Sequence, residues 1–368
     1  MVSRIRRFAI VSALALTISS CETSVPSDDL PSQIARQFLE QSGISGLAVT
    51  VGTAEQIIWS RGFGYADLEQ GVPIDPSLTK FRVGSTAKSM TAVAIGQLYE
   101  SGKLDLDQPI QIYLPGFPQK SGTITTRQLA GHLAGIRHYA NADEFLSAVP
   151  YESITDALGI FADDPLLFAP GSNFSYSTYG YNLISAVLES AAGEDFLDYM
   201  ARNVFGPSGM HSTVPDRVFP LISHRSRYYS MKDGELTNAP WVDNSNKWAG
   251  GGLLSTSEDL VRFGQSHLSE ILLKRQTIEM MWTSQKTSSN VETGYGIGWG
   301  IETDESNRKI IRHGGGSVGG ITDLRIYPDQ DLVIAVISNT APADVKTFAA
   351  RIAEYFLSDS GTQEPASR

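Results

Sequence analysis

The stretch FRVGSTAKSM, residues 81–90, sets a serine and a lysine three residues apart, Ser85 and Lys88, at the start of an apolar-periodic segment. Met90, Val93, Ala94, Ile95 and Leu98 follow at helical spacing, and Gly84 permits a sharp entry. Residues three apart share a helix face, which brings the Lys88 amine within reach of the Ser85 hydroxyl. The spacing alone does not establish chemistry. Ser77 and Lys80 in PSLTK repeat it, but Ser77 follows Pro76 and precedes the extended KFRVG, so that pair is read as surface. For Ser85 and Lys88 the plain alternative is a capping serine beside a solvated lysine.

A serine hydroxyl is a poor nucleophile until a base removes its proton. Lysine is such a base only when neutral, which requires its usual pKa of ~10.4 to be depressed by burial or by nearby positive charge. The positive end of a helix contributes in that direction. The same terminus offers the Ser85 N–H to a developing oxyanion, so one turn of chain can serve both needs.

Outward from this segment, folded structure is expected from Ser32, read as an N-cap, through a helix carrying Ile34, Phe38 and Leu39 and stopping at Gly43. GLAVTVG and QIIWSRGFGYA read as two strands. RKIIRH, TDLRIYP and LVIAVIS read as three more near the other end, and Val345, Phe348, Ala349, Ile352 and Phe356 form a last amphipathic helix. Sheet strands from both ends, with helix and loop patterning over roughly 90–263 between them, predict an α/β sandwich with an inserted helical lobe. The domain is placed at 32–358, with 359–368 as a frayed tail.

With 368 residues, 41% hydrophobic and 19% charged, the chain has enough apolar content for a large core. The formal charge is −11, and an acidic surface repels phosphate backbones and anionic headgroups, which argues against nucleic acid as a partner. Residues 1–20 read as a signal peptide: Arg4, Arg6 and Arg7, then an apolar run from Phe8 to Ile18, shorter than the roughly 20 residues of a membrane span. ISSC ends at Cys21, the single cysteine, and fits a lipoprotein cleavage box in which Cys21 becomes the acylated N-terminus. The alternative is an ordinary secretory leader with an incidental cysteine. Residues 21–31 then form a polar tether, and Glu22 after the cysteine points to the outer membrane under the Gram-negative sorting rule.

Two further stretches carry candidate chemistry. PGSNFSYSTYGYNLISAVLE offers Tyr176 just before a helix whose core face is Leu183, Ile184, Val187 and Leu188. RHGGGSVGG places His313 before three glycines, whose missing side chains let a substrate lie against a strand edge. Taken singly, Tyr176 reads better as a buried structural tyrosine and His313 as a structural or exposed residue than as catalytic groups. Gly315, Ser317 and Gly319 also match the G-x-S-x-G elbow, but a hairpin follows, and no histidine occurs after His313. Gly314, Gly316 and Gly319 match G-x-G-x-x-G and fail for the same lack of a helix. The six histidines show no close ligand spacing.

Ser-x-x-Lys, a tyrosine motif and a glycine-rich strand carrying a cation, in that order, resemble the serine β-lactamase and penicillin-binding protein superfamily, specifically its class C-like branch. GFGYADLEQGVPID, LAGHLAGIRHY, WAGGGLLSTSEDLVRFG and GYGIGWG extend the resemblance over nearly the whole chain. PWVDNSNKWAGGGLLST and the YST form of the tyrosine motif are most similar to the mitochondrial serine β-lactamase-like group and its bacterial relatives. The resemblance implies a β-lactamase-like α/β fold with an antiparallel sheet, and an active site in the cleft beside the helical lobe. It implies Ser85 as the acylated nucleophile and Lys88 as proton acceptor, directly or through Tyr176. Tyr176 would protonate the leaving group and activate the deacylating water, its pKa lowered by cationic neighbours. His313 stands where many relatives carry the lysine of Lys-Thr-Gly. Gly315 and Gly316 lie in the substrate-binding run, with the Gly316 N–H joining that of Ser85 in the oxyanion hole.

Two departures bear on substrate. Thr178 occupies the usual asparagine position, and His313 is a weaker carboxylate anchor than lysine, so that His313→Lys is expected to favour carboxylate-bearing substrates. The expected activity is a serine hydrolase acting on a peptide, a D-amino-acid peptide or an ester, with weak or absent β-lactam hydrolysis and neither metal nor organic cofactor. The alternatives are a non-turnover binding or scaffold protein of the cell envelope, and a true β-lactamase. Membrane contact is expected only through Cys21.

Overall fold

The computed structural model describes residues 29–358; the leader, Cys21 and the tail at 359–368 lie outside the described residues. Five long helices frame the fold: α1 (Leu30–Ser42), α2 (Ala87–Glu100), α3 (Thr178–Ala192), α4 (Ser257–Leu268) and α5 (Val345–Leu357). The main sheet uses β1 (Gly46–Gly52), β2 (Ile57–Asp67), β3 (Val72–Pro73), β4 (Gly300–Thr303), β5 (Lys309–Gly316), β6 (Ile321–Tyr327) and β7 (Leu332–Ser338). Their order is β3-β2-β1-β7-β6-β5-β4, antiparallel throughout.

The first and last strands of the main sheet in sequence order thus meet in its middle, with Val49 opposite Val336 and Val51 opposite Ile334. Both central strands are buried at every residue, which explains why GLAVTVG and LVIAVIS read as near-continuous apolar runs: both faces of the sheet are covered. Alternation assigns the faces. Leu47, Val49, Val51, Ile334 and Val336 share a core with α1 and α5, where Phe38 stacks on Phe348 at 4.5 Å. Ala48, Ala335 and Ile337 face the other core with Leu260, Val261 and Phe263 of α4.

The fold begins earlier than Ser32. Asp29 is the N-cap of α1, its carboxylate accepting from the Ser32 N–H at 2.8 Å, and Pro31 sits in the first turn where its missing N–H costs nothing. Ser32 is therefore the third helical residue and is buried. Gly43 closes the helix in the left-handed conformation, φ 65°.

Between β3 and β4 the chain leaves the main sheet to build α2, α3, α4, shorter helices and two small three-stranded sheets, one of which takes its third strand from Thr340–Ala341. One of these is not evident from periodicity and decides the site. Phe81–Arg82 pairs with Leu253–Ser255, Phe81 opposite Ser255, which carries the glycines of WAGGG to the turn holding Ser85. Helix α2 is buried almost all round, including Ser89 and Thr91, whose hydroxyls donate to Gly298 and Ala249 carbonyls at 2.6 and 2.9 Å. The Ser77–Lys80 pair is not a surface pair. Ser77 donates to Asp75 at 2.6 Å, while Lys80 is buried and donates to the Ser223 carbonyl at 3.2 Å.

Candidate active site

Ser85 lies in the 3₁₀ turn Gly84–Thr86 that runs into α2. Two glycine contacts seat this turn on the end of β5. Gly84 has φ 51°, and a Cβ there would stand 2.6 Å from the Gly316 carbonyl oxygen; a Cβ on Gly315 would stand 1.9 Å from that of Val83. Gly315 is thus a packing residue, buried against the turn, rather than a surface for substrate. Gly316 is exposed, has open space where a Cβ would be, and lines a cleft of about 330 Å³ together with Ser85 and Thr178.

Lys88, one turn on, is wholly buried. Its Nζ lies 3.2 Å from Ser85 Oγ, 3.1 Å from Thr178 Oγ1 and 2.6 Å from the Gly250 carbonyl oxygen. Gly250 can only accept; the two hydroxyls can donate or accept. A neutral amine that donates to Gly250 and Thr178 keeps its lone pair for the Ser85 proton. Electrostatics favours that form, because burial first, and the charge of Lys247 second, hold the Lys88 pKa well below the ordinary lysine value.

Tyr176 precedes α3, whose N-cap Ser177 accepts from the Gly180 N–H at 2.9 Å and donates to the Arg137 carbonyl at 2.7 Å. The tyrosine is half-buried, its ring 4.9 Å from Lys88 Nζ and its hydroxyl near that of Ser85. Its pKa is raised by burial, with the Ser85 contact pulling only partly back. The expectation of a lowered pKa fails because the neighbouring amine is itself driven towards the neutral form. Tyr176 is a protonated phenol, a donor rather than a resident phenolate.

His313 also departs from its expected role. It is buried, away from the cleft lining. Its Nδ1 lies 2.7 Å from the Gly314 carbonyl oxygen and must donate, so Nε2 accepts from the Tyr295 hydroxyl at 2.8 Å. Burial is the chief cause that lowers its pKa to about 3. His313 is a neutral, doubly bonded buttress, not a cation on a strand edge.

The sequence did not single out two other histidines that gather here. His132 Nδ1 accepts from the Ser177 N–H at 3.2 Å, and His138 Nδ1 accepts from the Thr178 N–H at 3.1 Å. The His132 and Tyr176 rings lie 4.3 Å apart. Together they hold the backbone of the tyrosine motif, and burial keeps both neutral, the His138 pKa falling to about 4. The one sign of them in the chain is their place in LAGHLAGIRHY. Among the described residues no group of three or more His, Cys, Asp or Glu is placed to hold a metal ion. Tyr139, Phe145, Lys247 and Ser317 complete much of the lining. Ser317 is followed by a tight turn into β6, not a helix, so the elbow motif has no structural counterpart.

The beta-lactamase family pattern matches residues 32–356. The chain belongs to the beta-lactamase family. It is 33% identical to the serine beta-lactamase-like protein LACTB, mitochondrial, of Homo sapiens, over 89% of this chain and 79% of that one. Its fold is similar to the octameric penicillin-binding protein homologue from Pyrococcus abyssi, with a TM-score of 0.78 at 23% identity over 91% of this chain and 78% of that one. It is similar as well to the D-amino acid amidase from Ochrobactrum anthropi SV3, with a TM-score of 0.77 at 20% identity over 89% and 98%. As a member of the beta-lactamase family the protein is a serine hydrolase. Thr178 bonds the lysine amine, whereas His313 brings no charge to the cleft.

Proposed function

We propose that the protein hydrolyses a peptide, D-amino-acid peptide or ester through an acyl-enzyme on Ser85. The observation that carries this is the wholly buried Lys88 amine 3.2 Å from Ser85 Oγ, with the Tyr176 hydroxyl beside it. The Ser85 proton passes to Lys88 as Oγ bonds to the substrate carbonyl carbon. The N–H groups of Ser85 and Gly316 receive the oxyanion. When the bond to the leaving group breaks, Tyr176 supplies its proton and regains one from Lys88. Water then attacks the acyl carbon, yields its proton through the same pair, and restores the Ser85 hydroxyl with release of the acid.

Threonine in place of asparagine at 178 favours esters and peptides over β-lactams. Export and a lipid anchor at Cys21 rest on the sequence of the first residues, and we place the enzyme in the cell envelope, facing the periplasm from the outer membrane. The test is turnover by the full chain of p-nitrophenyl esters, D-alanyl peptides and nitrocefin. Steady turnover of an ester or peptide, with nitrocefin slower, is expected. Stoichiometric acylation without turnover of any of them would favour a binding protein instead.

A further inference from the structure

Lys247 is the one Lys or Arg among the described residues that line the cleft, and no Asp or Glu lines it. It is only 3% exposed. Its Nζ donates to the Phe145 carbonyl at 2.9 Å and stands 5.3 and 5.1 Å from the Tyr139 and Phe145 ring centres. No carboxylate among the described residues comes within 4.0 Å of it, and no second acceptor is bonded to it. The buried arginines are differently placed, Arg82 with Asp216 at 2.7 Å and Arg325 with Asp323 at 2.7 Å, while Lys80, which like Lys247 donates to a backbone carbonyl, does not line the cleft. A buried ammonium without a counter-ion is unfavourable unless something else supplies one.

We propose that Lys247 is the anion-recognising residue of the cleft, selecting substrates that carry a carboxylate close to the scissile bond. This deepens the acyl-enzyme reading and rests on it. The carbonyl and the two rings fix the ammonium in place, leaving two N–H donors for a ligand, the arrangement of a charge-assisted bond. Its position relative to the nucleophile is rigid, because Lys247 leads directly into the Trp248–Gly251 turn whose Gly250 carbonyl binds Lys88. The pKa of Lys247, lowered to about 8 by burial and by Arg82 against the opposing charges of Asp216 and Asp243, leaves it mostly charged at neutral pH. His138 and His313 are neutral, so Lys247 supplies the positive charge that a carboxylate would meet in a protein of net charge −11.

The carboxylate could belong to the acyl portion, as an acidic side chain, or to the leaving group, as a free C-terminus, and two arms separate these. In the first, Ser85 labelling rates of the full chain are compared for diphenyl phosphonate analogues of N-acetyl-glutamate and N-acetyl-glutamine. In the second, acetyl-D-alanyl-D-alanine and its C-terminal amide compete with labelling by a neutral phosphonate. Wild type is expected to favour the acid about 10- to 100-fold in one arm, the preference lost in Lys247→Met and kept in Lys247→Arg. Equal rates for acid and neutral partners in both arms of the wild type, or a preference that survives in a folded Lys247→Met, would overturn the inference. Should Lys247→Met not fold, the wild-type comparison and its weakening by salt still decide. No labelling of Ser85 by any phosphonate would remove the acyl-enzyme reading and this inference together, an outcome distinct from labelling without acid preference.

Discussion

Lys88 Nζ lies 3.2 Å from Ser85 Oγ at a point no solvent reaches, so the base that the nucleophile needs is made by burial. Loss of charge is the condition for its chemistry. The ascending limb of kcat/KM against pH is therefore expected to report Lys88, and to lie well below the ordinary lysine value, since a lowered pKa frees the lone pair at lower pH. Lys247→Met removes a neighbouring charge that depresses Lys88 and should move that limb to higher pH. In Lys88→Arg the guanidinium cannot give up its proton, and turnover should fall by roughly 10²- to 10⁴-fold. A pH–rate profile recorded for the three proteins checks this; near-normal turnover in Lys88→Arg would remove Lys88 as the base.

Tyr176→Phe removes one hydroxyl beside Ser85. With Tyr176 as proton donor to the leaving group, turnover should fall by on the order of 10²- to 10⁴-fold with little change in Tm. The loss should be smallest for p-nitrophenyl esters, whose leaving group scarcely needs protonation, and largest for amides. Equal losses for both, tracking a drop in Tm, would make the residue a packing tyrosine.

His313→Lys tests the buttress role. The sequence alone suggested a gain for carboxylate substrates, but the side chain is enclosed and both ring nitrogens are bonded. Lysine would bring an ammonium into a site that burial keeps uncharged, at a cost of about 3 kcal/mol or more. The expected result is a Tm lower by roughly 5 °C or more and no improvement for acids over neutral esters. Thermal unfolding with a matched substrate pair measures both, and an unchanged Tm with a new acid preference would reverse this account.

Much of the fold was legible because its central strands are buried on both faces and its outer helices on one, which leaves plain apolar patterns in GLAVTVG, LVIAVIS and the stripe of α5. Ser85 and Lys88 were legible because three residues within one helical turn fix their proximity. Lys247 was not. It reaches the cleft only because Phe81–Arg82 pairs with Leu253–Ser255, a two-residue contact too short to leave a periodic trace. His132 and His138 act through backbone N–H groups of Ser177 and Thr178, and no spacing in the chain announces that. His313 was found by position, but its environment depends on Tyr295 from a loop, so its burial and neutrality could not be read from RHGGG.

For the anchor, Cys21→Ser is expected to abolish incorporation of labelled palmitate and membrane partitioning while leaving Ser85 reactivity intact, since the cysteine lies far in sequence from Ser85, Lys88 and Tyr176. Mass spectrometry of the mature N-terminus gives the direct reading. An unmodified N-terminus at another residue would contradict lipidation.

The central claim, that Ser85 is the nucleophile, is tested most directly by peptide mapping of the fluorophosphonate adduct. The account predicts a single adduct on the Ser85 peptide, absent in Ser85→Ala and still on Ser85 in Ser77→Ala and Ser317→Ala. An adduct that persists in folded Ser85→Ala, or that maps to another serine in the wild type, would contradict it.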